Sequence, residues 1–211
     1  MAIEREKILD AALTLINEVG LDQLTTRRLA ERLGVQQPAL YWHFRNKSAL
    51  LDEVNEEMLA RFHTHRMPEP GQSWEAFTVA HARSFRNAMR SVRDGARINA
   101  GTRPSTRQFA DAEKQLQLYV EAGFTPAEAF NIAIAIARFV VGFVLEEQDE
   151  RDRAEEYPDW SGDPLQEVAE FPILSEALRP LMTTGMVNTE SVFEGGLQYM
   201  ITGIRASLAK R

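Results

Sequence analysis

The sequence predicts an all-α fold, in which a small N-terminal three-helix domain precedes a larger helical domain. Apolar residues recur at helical spacing in almost every segment. Capping residues, glycines and prolines separate those segments at short intervals. No run of alternating apolar and polar residues predicts a strand. From these patterns we expect domains at residues 1–47 and 48–211.

Composition is ordinary for a globular protein, with 211 residues of which 44% are hydrophobic and 26% charged. The absence of cysteine excludes disulfides and thiolate metal sites and fits a bacterial cytoplasm. We expect neither a signal peptide nor a membrane span. A net charge of −7 argues against nucleic-acid binding overall. Residues 1–47, however, hold seven Lys and Arg against six Asp and Glu, so the acidic excess lies further along the chain.

Residues 4–18 form the first predicted helix, because apolar side chains from Ile8 to Ile16 share one face. Two short helices follow within 25–47, TTRRLAERLGVQQPALYWHFRNK. Thr25 or Thr26 can cap the first, and Gly34 ends it. Pro38 fits the first turn of the second helix, with Gln36 and Gln37 before it.

The second short helix has a buried side at Leu40 and Phe44 and an exposed side that carries polar and aromatic residues: Gln37, Ala39, Tyr41 and His43. Two helices across a glycine turn are typical of a helix-turn-helix that enters the major groove. An ordinary helical hairpin in a core is the alternative. We expect Trp42 to belong to the core.

Further helices are predicted from capping and periodicity. A bridging helix extends from Lys47 to His65, with Leu51, Val54, Met58 and Phe62 facing inward. Thr125 opens an especially clear capping box, and we expect Thr189 to cap the last helix. The remaining predicted segments are helices at 74–92, 96–100, 109–122, 126–147, 171–182 and 190–208 and an exposed loop at 146–164.

Helices 126–147 and 190–208 carry more apolar surface than one small body should need. They predict either an interface between subunits or a role in the core for both.

At this point the chain resembles a known family. LTTRRLAERLGVQQPALYWHFRNKSALLDEV resembles the DNA-binding domain of TetR-family bacterial repressors, and its QPALYWH form is closest to the tetracycline repressor branch. The likeness continues through MLARFHTH, SWEAF, SFRNAM, RDGARINAGTRP, EAGF and VLEEQ. It implies a homodimer through helices near 126–147 and 190–208, which would suit a palindromic operator.

For the N-terminal domain the resemblance implies operator contacts by residues that match the family pattern: Thr26, Arg27, Gln37, Pro38, Tyr41, His43 and Lys47. Gln37 can pair with an adenine edge, whereas Lys47 is better suited to phosphate. We expect operator preference to diverge from that of relatives at Gln36 and Ala39.

For the larger domain the resemblance implies a ligand pocket. Five residues match family pocket positions: His63, Phe85, Thr102, Gln115 and Glu146. Three depart from the pattern: His81 replaces an asparagine, Asn99 replaces the histidine that ligates drug-bound magnesium, and Arg138 replaces a second histidine. If Mg²⁺ is bound with the inducer, Asn99 and, through water, Glu146 are the candidate ligands. Otherwise no cofactor is required.

Two of these residues also have simpler interpretations. Arg138 can bind an anionic ligand or pair with an internal carboxylate. His63 alone is more often a structural histidine than a ligand contact.

The resulting expectation is a ligand-responsive transcriptional repressor that binds operator DNA as a homodimer and is released by a small-molecule inducer. The inducer is either tetracycline-like or an unrelated planar, anionic compound bound without Mg²⁺. An enzyme is disfavoured, because no catalytic spacing such as HExxH or GxSxG occurs. A ligand-blind DNA-binding or assembly protein is the third reading.

Overall fold

A computed structural model describes residues 3–156, 163–183 and 186–209 of the chain. The described elements are overwhelmingly helical, as predicted. In chain order they are α1 (Arg5–Val19), α2 (Thr26–Leu33), α3 (Pro38–Tyr41), α4 (Lys47–Phe62), α5 (Trp74–Arg90), α6 (Gly95–Ala100), α7 (Thr106–Glu121), α8 (Pro126–Glu156), α9 (Pro164–Glu167), α10 (Pro172–Leu178), a 3₁₀ turn (Arg179–Leu181), β1 (Met182–Thr183), β2 (Met186–Val187) and α11 (Thr189–Leu208).

The chain divides into two compact units, Met1–Gln148 and Asp149–Arg211. The first unit contains α1 to α7 and most of α8, and the second contains the end of α8 and all that follows. The expected domain boundary after Lys47 stays a prediction.

The first three helices, which we call the head, enclose a small apolar core. Ile8, Ile16 and Leu29 are fully buried, and Leu24 is 1% exposed. Thr25 caps α2 by accepting a hydrogen bond from the Arg28 amide, and Gly34 ends it in the left-handed region with φ 66°. The predicted caps and the buried side of the second short helix, Leu40 and Phe44, are confirmed.

Helix α4 leaves the head and packs against α1, α5 and α6. It ends at Phe62, three residues before the predicted end, with His63 as its C-cap. Phe62 is 38% exposed, so the prediction that it faces inward is wrong. Leu50 is buried instead, because the inward stripe begins one residue earlier than predicted.

The turn between α5 and α6 depends on a close backbone approach. A Cβ on Gly95 would lie 2.1 Å from the Met89 carbonyl oxygen, which no side chain could tolerate. Gln148, which is 6% exposed, fixes the same turn. Its amide donates to the carbonyls of Met89 and Val92, and its Oε1 accepts from the Ala96 N–H.

Helix α8 is longer than predicted, because 146–156 continues the helix instead of forming a loop. Residues 157–162, also in the predicted loop, lie outside the described residues. By length and composition alone an apolar stretch within Pro126–Arg153 could cross a membrane, although it also contains Arg138. Only 22% of that stretch is buried, and Phe130 is 55% exposed. The prediction that α8 is buried on several sides is therefore wrong within one chain.

Besides the end of α8, the second unit contains α9, α10, the 3₁₀ turn, β1, β2 and α11. Asn188, not Thr189, caps α11, since its side chain accepts from the Ser191 N–H. β1 and β2 form a two-residue antiparallel pair that the sequence did not predict. The buried side of α11 carries Phe193, Leu197 and Ile201.

Candidate functional site

The exposed face of the head surrounds α3. Pro38 and Gln36 are exposed, and Gln37 and Ala39 are partly exposed. Tyr41 is 49% exposed. The turn from Gly34 brings α3 beside the start of α2, so that Thr26 lies next to Gln37. The remaining predicted contacts in the head and at the start of α4, Arg27, His43 and Lys47, are also at least partly exposed.

One polar contact orders this face. The Gln37 amide nitrogen donates to the Thr26 hydroxyl at 2.7 Å and, more weakly, to the Tyr41 hydroxyl at 3.4 Å. Both of these hydrogen bonds use the amide nitrogen, so the arrangement presents Oε1 as an acceptor. A base edge that needs an amide N–H must therefore displace either Thr26 or the weaker partner, Tyr41.

Trp42 corrects an expectation. Its side chain is 89% exposed, so it is not a core residue. The reason is geometric: Trp42 is the C-cap of α3 and points away from the side on which Leu40 and Phe44 pack inward. A large exposed aromatic ring beside Tyr41 adds to the surface that faces away from the head core.

A second group of side chains, which we call the histidine cluster, lies where α4 meets α5. It comprises His63, Ser84, His81, Phe85 and Phe77. The His63 and His81 rings meet edge to face at 4.5 Å, and Phe85 lies 5.5 Å from His63. Phe77 lies 5.2 Å from His81. His63 is 6% exposed although it follows the end of α4.

Hydrogen bonds hold the two rings. Ser84 Oγ lies 2.9 Å from His63 Nδ1 and also accepts from the His65 N–H at 3.0 Å. His81 donates from Nδ1 to the His65 carbonyl at 3.1 Å. The residues that follow α4 are thereby fixed against α5.

Both histidines are neutral at physiological pH. Burial, reinforced by the charges of His81 and Arg66, lowers the pKa of His63 from 6.5 to about 2. Burial also lowers the pKa of His81 to about 4, against the opposing effect of its hydrogen bond to the His65 carbonyl. The rings therefore act as neutral hydrogen-bonding and stacking groups.

Three other predicted pocket residues also make hydrogen bonds within the first unit. Gln115 on α7 donates to the Arg66 carbonyl at 2.7 Å. Asn99 on α6 donates from Nδ2 to Oδ1 of the buried Asn55 at 3.1 Å. The Thr102 hydroxyl donates to the Asn99 carbonyl at 3.0 Å. The predicted pocket residues of the first unit thus lie at the end of α4, on α5, α6 and α7, and just after α6.

The structure does not bring Arg138 and Glu146 into this network. Both side chains are exposed on α8, and neither has a hydrogen bond or ion pair with the described residues of the histidine cluster. Arg138 lies on the exposed side of α8. The apolar run around it is divided, because Ile132, Ile136 and Val140 are buried whereas Phe130 and Ile134 are exposed.

A resident metal site needs several ligating side chains close together. Among the residues that the structure describes, no group of three or more His, Asp or Glu side chains lies close enough to hold a metal ion. Asn99 could ligate a metal ion only through Oδ1, because an amide nitrogen has no free lone pair, and its Nδ2 donates to Asn55. An oxygen of this kind suits Mg²⁺.

Sequence reasoning missed Ser84, Asn55 and Arg66. Ser84 lies one residue before Phe85, and its polar character on a mostly apolar helix face was an available signal. Asn55 stood among the inward residues of α4 as a buried amide that needed a partner. Arg66 gave no signal, because nothing in its neighbourhood along the chain indicates burial.

Contacts also join the head to α6. Asp94 accepts a hydrogen bond from the Leu21 N–H at 2.7 Å. Arg97 bridges Asp22 and Asp94, and the two hydrogen bonds raise its pKa. The Arg93 N–H donates to Asn17 at 2.8 Å. The loop between α1 and α2 is therefore bound to the helix that carries Asn99.

A helix-turn-helix head joined by one helix to a polar and aromatic cluster defines the class of ligand-responsive DNA-binding regulators. Residues 8–54 match the family model described as bacterial regulatory proteins of the tetR family, and residues 67–208 match the tetracyclin repressor-like C-terminal domain. The chain belongs to the TetR family of DNA-binding transcriptional repressors.

Individual relatives support this membership. The chain is 47% identical to the class A tetracycline repressor protein of Escherichia coli, covering 99% of this chain and 92% of the relative. It is 45% identical to the class G tetracycline repressor protein of Vibrio anguillarum over 95% of this chain and 93% of the relative.

Solved structures agree. A TetR structure from Acinetobacter baumannii matches with a TM-score of 0.78 and 43% identity, over 98% of each chain. The structure of class A TetR in complex with 5a,6-anhydrotetracycline and magnesium matches with a TM-score of 0.75 and 40% identity, over 97% of this chain and 99% of that one.

Proposed function

We propose that the protein represses transcription by binding a palindromic operator as a homodimer in the bacterial cytoplasm, and that a tetracycline-like inducer releases it. The observation that carries the proposal is the pairing of an exposed α3 face with a neutral histidine cluster in one compact unit. Its likeness to tetracycline repressors over almost its whole length supports the choice of inducer.

Operator contacts are assigned to the exposed residues of the head and of the first turn of α4. Gln37 contacts a base edge, since its amide lies on the exposed side of α3. Pro38 and Ala39 pack on thymine methyl groups, with Gln36 beside them. Thr26, Arg27, Tyr41, His43 and Lys47 position the head through phosphates or a neighbouring base.

The ligand site is assigned to the histidine cluster and its neighbours: His63, His81, Phe85, Asn99, Thr102 and Gln115. Aromatic faces flanked by a few polar groups suit a planar, oxygen-bearing compound. Magnesium, when it arrives as part of such a chelate, would take the Asn99 Oδ1 as an oxygen ligand and supply charge neutralisation. Arg138 and Glu146 join this site only in the assembled dimer.

The homodimer forms through the apolar faces of α8 and α11. Phe130 and Ile134 on α8 are 55% and 39% exposed, and Tyr199 on α11 is 81% exposed. Two subunits joined in this way carry two heads, which a palindromic site requires.

Release follows from the connections of α6. A ligand that contacts Asn99 and Thr102 acts on the helix whose Asp94 and Arg97 hold the loop of the head. The ligand must bind the non-operator state more tightly, and the coupling is reciprocal, so operator DNA weakens ligand binding by the same factor.

Fluorescence anisotropy tests the proposal with a duplex selected by the protein from a random pool. The full chain should bind this duplex tightly and be released by anhydrotetracycline with Mg²⁺. Release that persists in EDTA would favour the planar anionic alternative. A protein that selects no duplex at all would end the repressor proposal.

A further inference from the structure

Arg66 lies beside the histidine cluster and has no role in the function proposed so far. Its guanidinium is held by two carboxylates: Glu56 on α4 at 3.2 Å and Asp111 on α7 at 3.0 Å. The side chain is only 15% exposed. An arginine anchored from two helices is fixed in position before any ligand arrives.

Both carboxylates bind the same end of the guanidinium. Each ion pair uses Nη2, whereas Nη1 is buried without a hydrogen-bond partner among the described residues. A buried N–H without an acceptor is unfavourable, and a charged one more so. The unused donor therefore requires an explanation that the ion pairs do not provide.

The second such atom in the described part of the chain is His63 Nε2, on a side chain that is 6% exposed. Its role depends on Ser84. When Ser84 donates to His63 Nδ1, Nε2 carries the proton and donates. When Ser84 donates to Thr64 instead, at 3.2 Å, His63 Nδ1 donates to Ser84 and Nε2 accepts.

Neighbouring contacts place these two atoms in one region. His81 meets His63 edge to face and donates to the His65 carbonyl, and Gln115 donates to the Arg66 carbonyl. The positive charge of Arg66 contributes to the lowered pKa of both histidines, as nearby cations do. The arginine and both rings thus border the same site.

We propose that Arg66 Nη1 binds an ionised oxygen of the inducer, such as a carboxylate or the enolate of a keto-enol, in addition to the ligand contact already assigned to His63. This inference rests on the proposed function, because it names the ligand chemistry of the same site. A charge-assisted hydrogen bond satisfies the buried donor, and the flanking aromatic rings favour a planar ligand. Glu56 and Asp111 serve as anchors that aim the guanidinium.

Isothermal titration calorimetry of the full chain tests this with anthraquinone-2-carboxylate and its neutral carboxamide. The wild-type protein should bind the carboxylate about 10- to 100-fold more tightly than the carboxamide, the usual range for one charge-assisted contact. Arg66→Met should abolish this preference. Arg66→Lys should retain only part of it, since a lysine keeps the charge and loses the planar donor.

Lys114→Met is the matched control, because it removes an exposed cation from α7 near Asp111 and should leave the preference unchanged. Arg66→Met leaves Glu56 and Asp111 without their cation and can destabilise the fold. The double variant Arg66→Met with Asp111→Asn removes the repulsion between Glu56 and Asp111. It replaces the single variant in the calorimetry if the single variant does not fold.

Two results overturn the proposal: a wild-type protein without preference for the carboxylate, or an arginine variant that keeps it. Operator binding and its release by anhydrotetracycline are measured on the same preparations. If the wild-type protein does not bind an operator, the repressor proposal fails. The preference for the carboxylate over the carboxamide tests the role of Arg66 whatever the result with the operator.

Discussion

The head and the histidine cluster are built by different kinds of contact. In the head, Gln37 bonds to Thr26, which lies 11 positions away in the chain. In the cluster, Ser84 bonds to the His65 amide 19 positions away, and beside the cluster Gln115 bonds to the Arg66 carbonyl 49 positions away. The head follows from residues close in the sequence, whereas the cluster and the contacts beside it form only when α4, α5 and α7 have packed.

This difference bears on how each region tolerates change. Caps and an apolar stripe define the head, so many sequences can produce it and only its exposed side chains need to be specific. The cluster depends on polar groups that satisfy one another at a distance, so one substitution leaves several groups without partners.

The largest effect should come from the head core. Leu29→Ala removes a fully buried side chain and should lower the free energy of unfolding by about 2–5 kcal/mol. Urea unfolding followed by circular dichroism measures it. Leu174→Ala, at a residue that is 47% exposed, is the control and should change stability by less than about 0.5 kcal/mol. A small effect at Leu29 would contradict the packing described for α2.

Acid should destabilise the fold through the histidine cluster. Folding lowers the pKa of His63 from 6.5 to about 2. Between these two pH values the unfolded state therefore binds one proton more than the folded state. The contribution of His63 is therefore intact above pH 6.5 and decreases below it, by about 2 kcal/mol at pH 5. Denaturant unfolding at several pH values measures this.

His63→Gln should reduce that pH dependence by about half, because glutamine does not titrate whereas His81, whose pKa is also lowered, to about 4, still does. The exposed His65→Gln serves as the control and should retain it. An unchanged slope in His63→Gln would mean that His63 is not the group responsible.

At the head surface, Gln37→Ala should weaken binding to the selected operator by about tenfold and relax its base preference at one position. Anisotropy on matched and substituted duplexes measures both changes, while anhydrotetracycline binding should stay as in the wild type. Gln117→Ala on α7 is the control. Equal weakening on every duplex would show that Gln37 contacts only the backbone.

The smallest effect is expected at Lys47. Lys47→Ala should weaken binding to all duplexes alike and reduce the slope of log affinity against log salt by about one. Titrations across a range of salt concentrations measure the slope. If the slope is unchanged, Lys47 makes no phosphate contact.

The sequence predicted the fold class and the head closely, because the cap at Thr25, the turn at Gly34 and the apolar stripes are local signals. It failed where tertiary packing decides. Phe62 and Trp42 were placed inside, yet both are exposed, since apolar character does not say which neighbour is present.

The predicted pocket residues are partly assembled in one chain. His63, His81 and Phe85 lie together, but Arg138 and Glu146 lie exposed on α8. The family pattern indicates where in the sequence a pocket residue lies, but it does not indicate which residues that side chain contacts. The bond between Asn99 and Asn55 and the anchoring of Arg66 by two helices were invisible for that reason.

Gly95 has a consequence for anyone who alters the ligand response by random mutagenesis. Its missing side chain leaves room for the Met89 carbonyl, so every substitution there collides with backbone. A library screened for loss of repression would collect Gly95 variants as misfolded protein and mistake them for variants of the operator-contacting residues. Selections should therefore hold this codon constant and vary the positions around the histidine cluster instead.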